Sequence, residues 1–224
     1  MASNQEIFLA FDVYGTLLST ESIARQLAEH FGQEKAATIA SEWRKYQLEY
    51  TWRLNSMEQY MPFSDVTRNS LKHALAEAGV SLDSGSIENL MDAYNTLNVF
   101  PDVPPVFQHL QDNPNIHAAV FSNGTSSMIN ASLTQSPDLS PYSKLFRKTV
   151  VVESVKRFKP YPGVYSHLLM ELGRTGKGQE KDVWLWEGVG GWTGGWGSGQ
   201  PTVIVEGLDE VVKKVTEFLQ QQHE

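Results

Sequence analysis

IFLAFDVYGTL, residues 7–17, is the stretch of sequence that decides the fold. Its first five residues form a continuous apolar run, which is typical of a strand buried on both faces of a parallel sheet. Asp12 stands where that strand would end, and Gly15 allows the chain to turn there. Ligands of open α/β sheets bind beyond the carboxyl ends of the strands. The stretch therefore predicts a buried opening strand that carries a carboxylate at the edge where a site is expected.

Residues 19–97 show apolar residues at helical spacing and no strand pattern. Gly32 and Gly79 each follow such a segment and predict helix ends, because glycine adopts the conformation that commonly terminates a helix. Four helices are predicted from this spacing, over residues 23–31, 34–53, 71–78 and 87–94. We therefore predict an all-helical cap, residues 19–97, inserted after the first strand.

A proline-rich linker at residues 101–105 separates this unit from short apolar runs that alternate with helical segments. Further strands are predicted at residues 118–121, 150–152, 183–186 and 201–205. Helices are predicted around residues 106–110, 163–172 and 208–219. Strands that alternate with helices favour a right-handed parallel α/β sheet. We therefore predict a Rossmann-like α/β core made of residues 1–18 and 98–224.

The composition narrows the classes of function. The chain has 224 residues, a formal net charge of -8 and no cysteine. The negative charge argues against nucleic acid or an anionic membrane as a partner, and the lack of cysteine excludes disulfides, thiolate metal sites and a cysteine nucleophile. No apolar stretch approaches the roughly 20 residues that span a bilayer, and residues 1–11 do not resemble a secretory signal. We expect a cytoplasmic enzyme.

Three polar residues fall at one edge of the predicted sheet. Asp12 and Ser122 end the first two predicted strands, and Lys159 lies in the loop after the third. Parallel strands bring such residues together in the crevice where ligands bind. Each also has a plain structural interpretation, because a carboxylate or hydroxyl can cap a turn and a lysine can lie on the surface. Lys156 is the neighbouring alternative to Lys159.

Motifs at these positions resemble those of the haloacid dehalogenase (HAD) superfamily. FDVYGTL at residues 11–17 resembles its first motif, SNG at residues 122–124 the second, and KP at residues 159–160 the third. EWRKYQLEYTW at residues 42–52 is similar to the cap segment of the (S)-2-haloacid dehalogenases in particular. The resemblance runs from about residue 6 to residue 186. It implies the HAD fold, a small 2-halo carboxylic acid as the substrate, no metal or other cofactor, and allows for a homodimer through the cap helices.

The resemblance implies catalytic roles for four residues. Asp12 would be the nucleophile that forms a covalent ester, and Lys159 would keep it ionised. Thr16 and Ser122 would donate their hydroxyls to the nucleophile or to the carboxylate of the substrate. Asp12 would attack carbon 2 from behind, and hydrolysis of the ester would give a 2-hydroxy acid of inverted configuration.

The resemblance also implies residues that hold the substrate and the halide. Arg44 and Asn123 would bind the departing halide, although Arg44 is also compatible with a solvated helix face. Superfamily phosphatases carry an acid two residues after the nucleophile, where this chain has Tyr14. A halide leaves without a proton, so a tyrosine suits a dehalogenase, and packing beneath the cap is its plain alternative. The remaining binding residues implied are Leu48, Phe63 and Tyr165.

The resemblance stops after Trp186. The family's fourth motif supplies a serine, an asparagine and an aspartate, followed by a helix and a strand, whereas here Glu187 and a Gly/Trp-rich segment, residues 188–199, follow at once. In the family that aspartate holds the third-motif lysine, and Glu187 is the carboxylate available to take its place. Three interpretations therefore stay open: a dehalogenase, impaired or not, a HAD-type phosphatase, and a non-catalytic degenerate homologue.

Overall fold

A four-stranded parallel sheet forms the centre of the protein. The computed structural model describes residues 6–187, 192–193, 203–204, 214–215 and 217. The strands are β1 (Ile7–Phe11), β2 (Ile116–Ser122), β3 (Phe146–Val151) and β4 (Val183–Trp186). They lie in the order β3-β2-β1-β4, and every neighbouring pair is parallel. The α/β prediction is confirmed, and β1 lies inside the sheet between β2 and β4.

The helices lie on both sides of the linker in sequence. Four of them precede it: α1 (Ala24–Phe31), α2 (Gln33–Ser56), α3 (Phe63–Glu77) and α4 (Ser84–Ala93). Within the continuously described residues 6–187, three follow it: α5 (Val103–Gln111), α6 (Ser126–Gln135) and α7 (Pro162–Glu171). The four helices predicted within residues 19–97 are confirmed, while the division of the chain into a core and a cap at these boundaries stays a prediction.

Three elements differ from the sequence prediction. Helix α3 begins at Phe63, although the apolar spacing predicted a helix only from residue 71. The strand predicted at residues 150–152 begins earlier, as β3. Its first part could not be predicted from an apolar run, because it carries the exposed residues Arg147, Lys148 and Thr149. Helix α6 was not predicted at all. Its sequence is rich in serine, asparagine and threonine, which have weak helix propensity, and it starts where the Thr125 side chain accepts a hydrogen bond from the backbone N–H of Met128.

An amide side chain joins the end of α2 to the loop that precedes Lys159. Asn55 Nδ2 donates to the carbonyl of Phe158 at 2.7 Å, and the N–H of Phe158 donates to Asn55 Oδ1 at 2.9 Å. The Phe158 ring also packs against Tyr60 and Phe63. These contacts fix the helical segment above the carboxyl edge of the sheet, where the candidate site lies.

Part of the predicted C-terminal structure lies outside the described residues. The strand predicted at 201–205 is described only at Val203–Ile204, which forms β6 and pairs antiparallel with β5 (Trp192–Thr193). The structure does not describe most of the helix predicted at 208–219. It also does not describe most of segment 188–199, which stands where the family's fourth motif was expected. Within the described part of the chain, no helix combines the length and the apolar character needed to cross a membrane.

Candidate active site

A cavity of about 550 Å³ lies between the carboxyl ends of the central strands and helix α2. Its wall contains all ten residues that the sequence analysis singled out, although they come from five separate parts of the chain. They are Asp12, Tyr14, Thr16, Arg44, Leu48, Phe63, Ser122, Asn123, Lys159 and Tyr165. The fold therefore gathers the predicted residues around one space, which is large enough for a small organic ligand.

Asp12 follows β1 directly and is held at both carboxylate oxygens. Its backbone N–H donates to the carbonyl of Trp186 at 2.9 Å, which continues the pairing of β1 with β4. Oδ1 lies 3.0 Å from Lys159 Nζ, and Oδ2 accepts a hydrogen bond from the Thr16 hydroxyl at 3.1 Å. The side chain retains 17% exposure toward the cavity. Asp12 is therefore an oriented carboxylate that a small molecule can reach.

Lys159 is a buried cation between two carboxylates. Its Nζ lies 3.0 Å from Asp12 Oδ1 and 2.6 Å from Glu187 Oε1, and it donates to the carbonyl of Phe121 at 3.1 Å. Burial by itself would lower the pKa of Lys159, but the negative charges of Asp12 and then Glu187 outweigh it and raise the pKa above its usual value. Lys159 therefore stays charged at neutral pH and cannot act there as a base.

Glu187 is a site residue that was not among the ten predicted. It comes immediately after β4, and β4 pairs with β1 so that Trp186 lies beside Phe11. This register brings the first residue after β4 close to the first residue after β1, where both carboxylates reach Lys159. The signal that locates Asp12, an acidic residue at the carboxyl end of a buried strand, also locates Glu187.

Ser122 is the last residue of β2, and Asn123 begins the turn that follows it. Ser122 is fully buried, and its Oγ accepts a hydrogen bond from the N–H of Gly124 at 3.1 Å, which is the local turn contact considered as its plain interpretation. Asn123 Oδ1 accepts the N–H of Lys159 at 2.8 Å. The Asn123 amide oxygen is thus occupied as an acceptor, and the amide nitrogen is the side-chain atom that can donate to a ligand.

Tyr14 packs beneath the helices. It is 3% exposed, its ring stacks on Phe63 with centroids 5.9 Å apart, and its hydroxyl lies 3.3 Å from Ser132 Oγ. Burial, the largest influence, raises its pKa well above the usual range. The side chain two positions after Asp12 is therefore a neutral phenol engaged with α6 and not a carboxylic acid.

Arg44 brings a second cation to the cavity from α2. Its Nη2 donates to the carbonyl of Tyr14 at 2.5 Å, and its Nη1 donates to Gln47 Oε1 at 2.7 Å. Among the residues that the structure describes, Arg44 forms no ion pair with a carboxylate. The solvated-face interpretation fails because the guanidinium points into the cavity wall, where its charge is available to an anion.

Aromatic and aliphatic side chains complete the wall. Phe63 is buried and Leu48 is half-buried, and the ring of Tyr165 packs against Phe121 with centroids 5.6 Å apart. Burial raises the pKa of Tyr165, and Glu187 adds to the effect, so this phenol also stays neutral. Such walls lower the local dielectric constant and strengthen the interactions of the two cations with bound anions.

Comparisons with known proteins show which family and which structures this chain is similar to. A family profile described as haloacid dehalogenase-like hydrolase matches residues 9–182. The (S)-2-haloacid dehalogenase of Pseudomonas fluorescens is 33% identical over 163 residues, which cover 73% of this chain and 69% of that protein. The (S)-2-haloacid dehalogenase of Xanthobacter autotrophicus is 32% identical over 172 residues, 75% of this chain but only 63% of that protein. A solved L-2-haloacid dehalogenase from Xanthobacter autotrophicus superimposes with a TM-score of 0.70 at 28% identity, covering 81% of this chain and 69% of that one.

Proposed function

This chain belongs to the family of haloacid dehalogenase-like hydrolases, and on that premise we propose that it converts (S)-2-haloacids into (R)-2-hydroxy acids through a covalent ester on Asp12. The observation that carries the proposal is the contrast between the two cations of the cavity. Lys159 is bound to Asp12 and Glu187, whereas Arg44 has only neutral partners among the described residues. A reactive carboxylate and an available cation in one apolar-walled space suit a substrate that releases an anion.

In the first step, an oxygen of Asp12 attacks carbon 2 of the substrate. The new carbon–oxygen bond forms as the carbon–halogen bond breaks, and the halide leaves with the bonding electron pair toward Arg44 and Asn123. Attack from behind inverts the configuration at carbon 2. Ser122 donates its hydroxyl to the carboxylate of the substrate, and Lys159 holds Asp12 in place for the attack. No proton is transferred in this step, so the neutral tyrosine at position 14 is no obstacle.

In the second step, water attacks the carbonyl carbon of the Asp12 ester. The bond from that carbon to the ester oxygen breaks, the released 2-hydroxy acid takes one proton of the water, and the other proton passes to solvent as the carboxylate re-forms. Esterification removes the negative charge of Asp12. Glu187 then remains as the carboxylate that pairs with Lys159 and holds it in place, at the 2.6 Å contact described above.

Release of chloride tests the proposal directly. We expect the protein to liberate chloride from (S)-2-chloropropionate, to leave the (R) enantiomer unreacted, and to form (R)-lactate. The paired enantiomers are the control, because both carry the same carbon–halogen bond. Failure to release chloride from either enantiomer, at a protein concentration equal to that of the substrate, would contradict the proposal.

The HAD-type phosphatase interpretation loses support from the surroundings of Tyr14. A phosphatase needs a proton donor for its leaving alkoxide, and the residue at that position is a buried phenol whose hydroxyl contacts Ser132. Phosphate release from small esters is therefore not expected.

Substitution of Gly15 tests the connection between the first motif and Arg44. Gly15 has φ +86°, and a Cβ placed on it would lie 2.9 Å from Arg44 Nη2. We expect Gly15→Ala to lower the free energy of unfolding by about 1–2 kcal/mol and to reduce chloride release by at least about tenfold, because the guanidinium must move. Urea unfolding and chloride release measure the two effects.

Gly79→Ala is the matched control. Gly79 has φ +68°, and nothing lies within 4 Å of the position of its Cβ. This variant should show a similar loss of stability and unchanged chloride release in conditions where it is folded. Equal activity of the two variants would mean that the position of Arg44 does not matter.

A further inference from the structure

Gln47 is a fully buried amide that contacts Arg44 from one helical turn further along α2. Its Oε1 accepts hydrogen bonds from Arg44 Nη1 at 2.7 Å and from the hydroxyl of Tyr94 at 3.1 Å. Its Nε2 donates to the hydroxyl oxygen of Thr67 at 2.7 Å. The side chain therefore has partners at both ends, as a polar group buried without exposure requires.

Thr67 determines which way the amide of Gln47 faces. The Thr67 hydroxyl donates its single proton to the carbonyl of Phe63 at 2.7 Å, so toward Gln47 it can only accept. The amide nitrogen must then face Thr67, and the amide oxygen must face Arg44. Contacts with α3 and with the end of α4 thus fix an acceptor beside the guanidinium.

We propose that Gln47 is the positioning residue that holds Arg44 toward the cavity without neutralising its charge. The inference rests on the proposed function only in that the bound anion would be the leaving halide or the substrate carboxylate. Both terminal nitrogens of Arg44 are held by neutral oxygens, one from Gln47 and one from the Tyr14 backbone. A carboxylate in place of the amide would also accept from the guanidinium, but it would compensate the charge of Arg44 and have no donor for Thr67. A neutral acceptor gives orientation and leaves the charge for the ligand.

Gln47→Glu tests the inference because it changes the charge and hardly changes the shape. We expect the affinity for bromide, titrated into the substrate-free protein and followed by calorimetry, to fall at least about tenfold, since a fixed anion now occupies the guanidinium. The kcat/KM for (S)-2-chloropropionate should fall by about 10- to 100-fold, with much of the loss in kcat, because the halide is bound most tightly as it departs.

Two further variants separate charge from structure. Gln33→Glu makes the same chemical change on the same helix at an exposed position and should leave both measurements unchanged. Gln47→Met removes all three hydrogen bonds of the side chain without adding charge, so it should weaken bromide binding less than Gln47→Glu does. If the role of Gln47 were only structural, bromide binding would instead be weaker in Gln47→Met than in Gln47→Glu.

The outcomes distinguish this inference from the proposed function. Bromide affinity in Gln47→Glu equal to that of the unchanged protein would overturn the inference even if chloride is released normally. Absence of chloride release from the unchanged protein would overturn the proposed function, while the bromide titration would still decide the role of Gln47. If Gln47→Glu does not fold, bromide binding by Gln47→Met as strong as that of the unchanged protein would overturn the inference.

Discussion

Asp12→Asn will lower chloride release from (S)-2-chloropropionate by about 10⁴-fold or more, the loss typical when a nucleophile is removed. The amide oxygen is uncharged and far less nucleophilic, while the cavity and both cations remain. Lys159 keeps Glu187 as a partner in this variant, so the fold should survive. Initial rates of chloride release at saturating substrate measure the effect, and the thermal unfolding temperature verifies that the variant is folded.

Asp92→Asn is the control for this substitution, because Asp92 is an exposed carboxylate of α4 that does not line the cavity. A single turnover in heavy-oxygen water, with the protein in excess, adds a second criterion. The label should enter Asp12 and be absent from the first product, whose hydroxyl oxygen comes from the side chain. Label found in the product but not in Asp12 would show that water attacks the substrate directly, and the nucleophile assignment would be wrong.

The strands that could be predicted from sequence are those that have apolar surroundings on both faces along their whole length. β1 and β4 lie within the apolar runs from which they were inferred, because a central parallel strand is apolar on both faces. β3 pairs on only one side among the described strands, and its exposed residues hide its beginning. Helix α6 depends on a cap at Thr125 and on packing against other elements, not on its own propensity.

The same reasoning explains which site residues were found. Asp12, Ser122 and Lys159 follow strands or stand beside them, so the topology of a parallel sheet predicts their meeting. Gln47 differs, because its partners Thr67 and Tyr94 come from other helices. Only the tertiary packing of these helices shows that a glutamine within an ordinary amphipathic pattern is a buried contact of Arg44.

Replacement of Lys159 with methionine will have the second large effect. The variant leaves the carboxylates of Asp12 and Glu187 facing each other in a mostly buried site without the cation that both contact. Breaking a buried ion pair from one side commonly costs about 3–5 kcal/mol. We expect a loss of stability of that order and a decrease in chloride release of about 10³-fold or more, because Lys159 also orients the Asp12 nucleophile. Urea unfolding and chloride release measure the two effects.

Lys156→Met is the matched control, since Lys156 is an exposed lysine three residues earlier and was the alternative to Lys159. The pH dependence gives a further criterion. A pKa raised in the folded protein stabilises it fully below the unfolded value of 10.5, and this stabilisation is lost as pH rises through the higher folded value. As far as the titration of Lys159 is concerned, the stability difference between the unchanged protein and Lys159→Met should therefore stay constant from neutral pH to about 10. It should decline only above that pH. A decline near neutral pH would mean that Lys159 titrates there and that its two ion pairs are weak.

The double variant Lys159→Met with Glu187→Gln separates the two losses. Removing the second carboxylate relieves its repulsion of Asp12, so the double variant should regain about 1–3 kcal/mol relative to Lys159→Met alone, a coupling typical of residues in contact. Chloride release should not recover with it, because the cation that orients Asp12 is still missing. Recovery of stability without recovery of turnover would show that Lys159 offsets the repulsion between the two carboxylates. Equal stability of the single and double variants would instead show that Glu187 and Asp12 do not share the charge of that lysine.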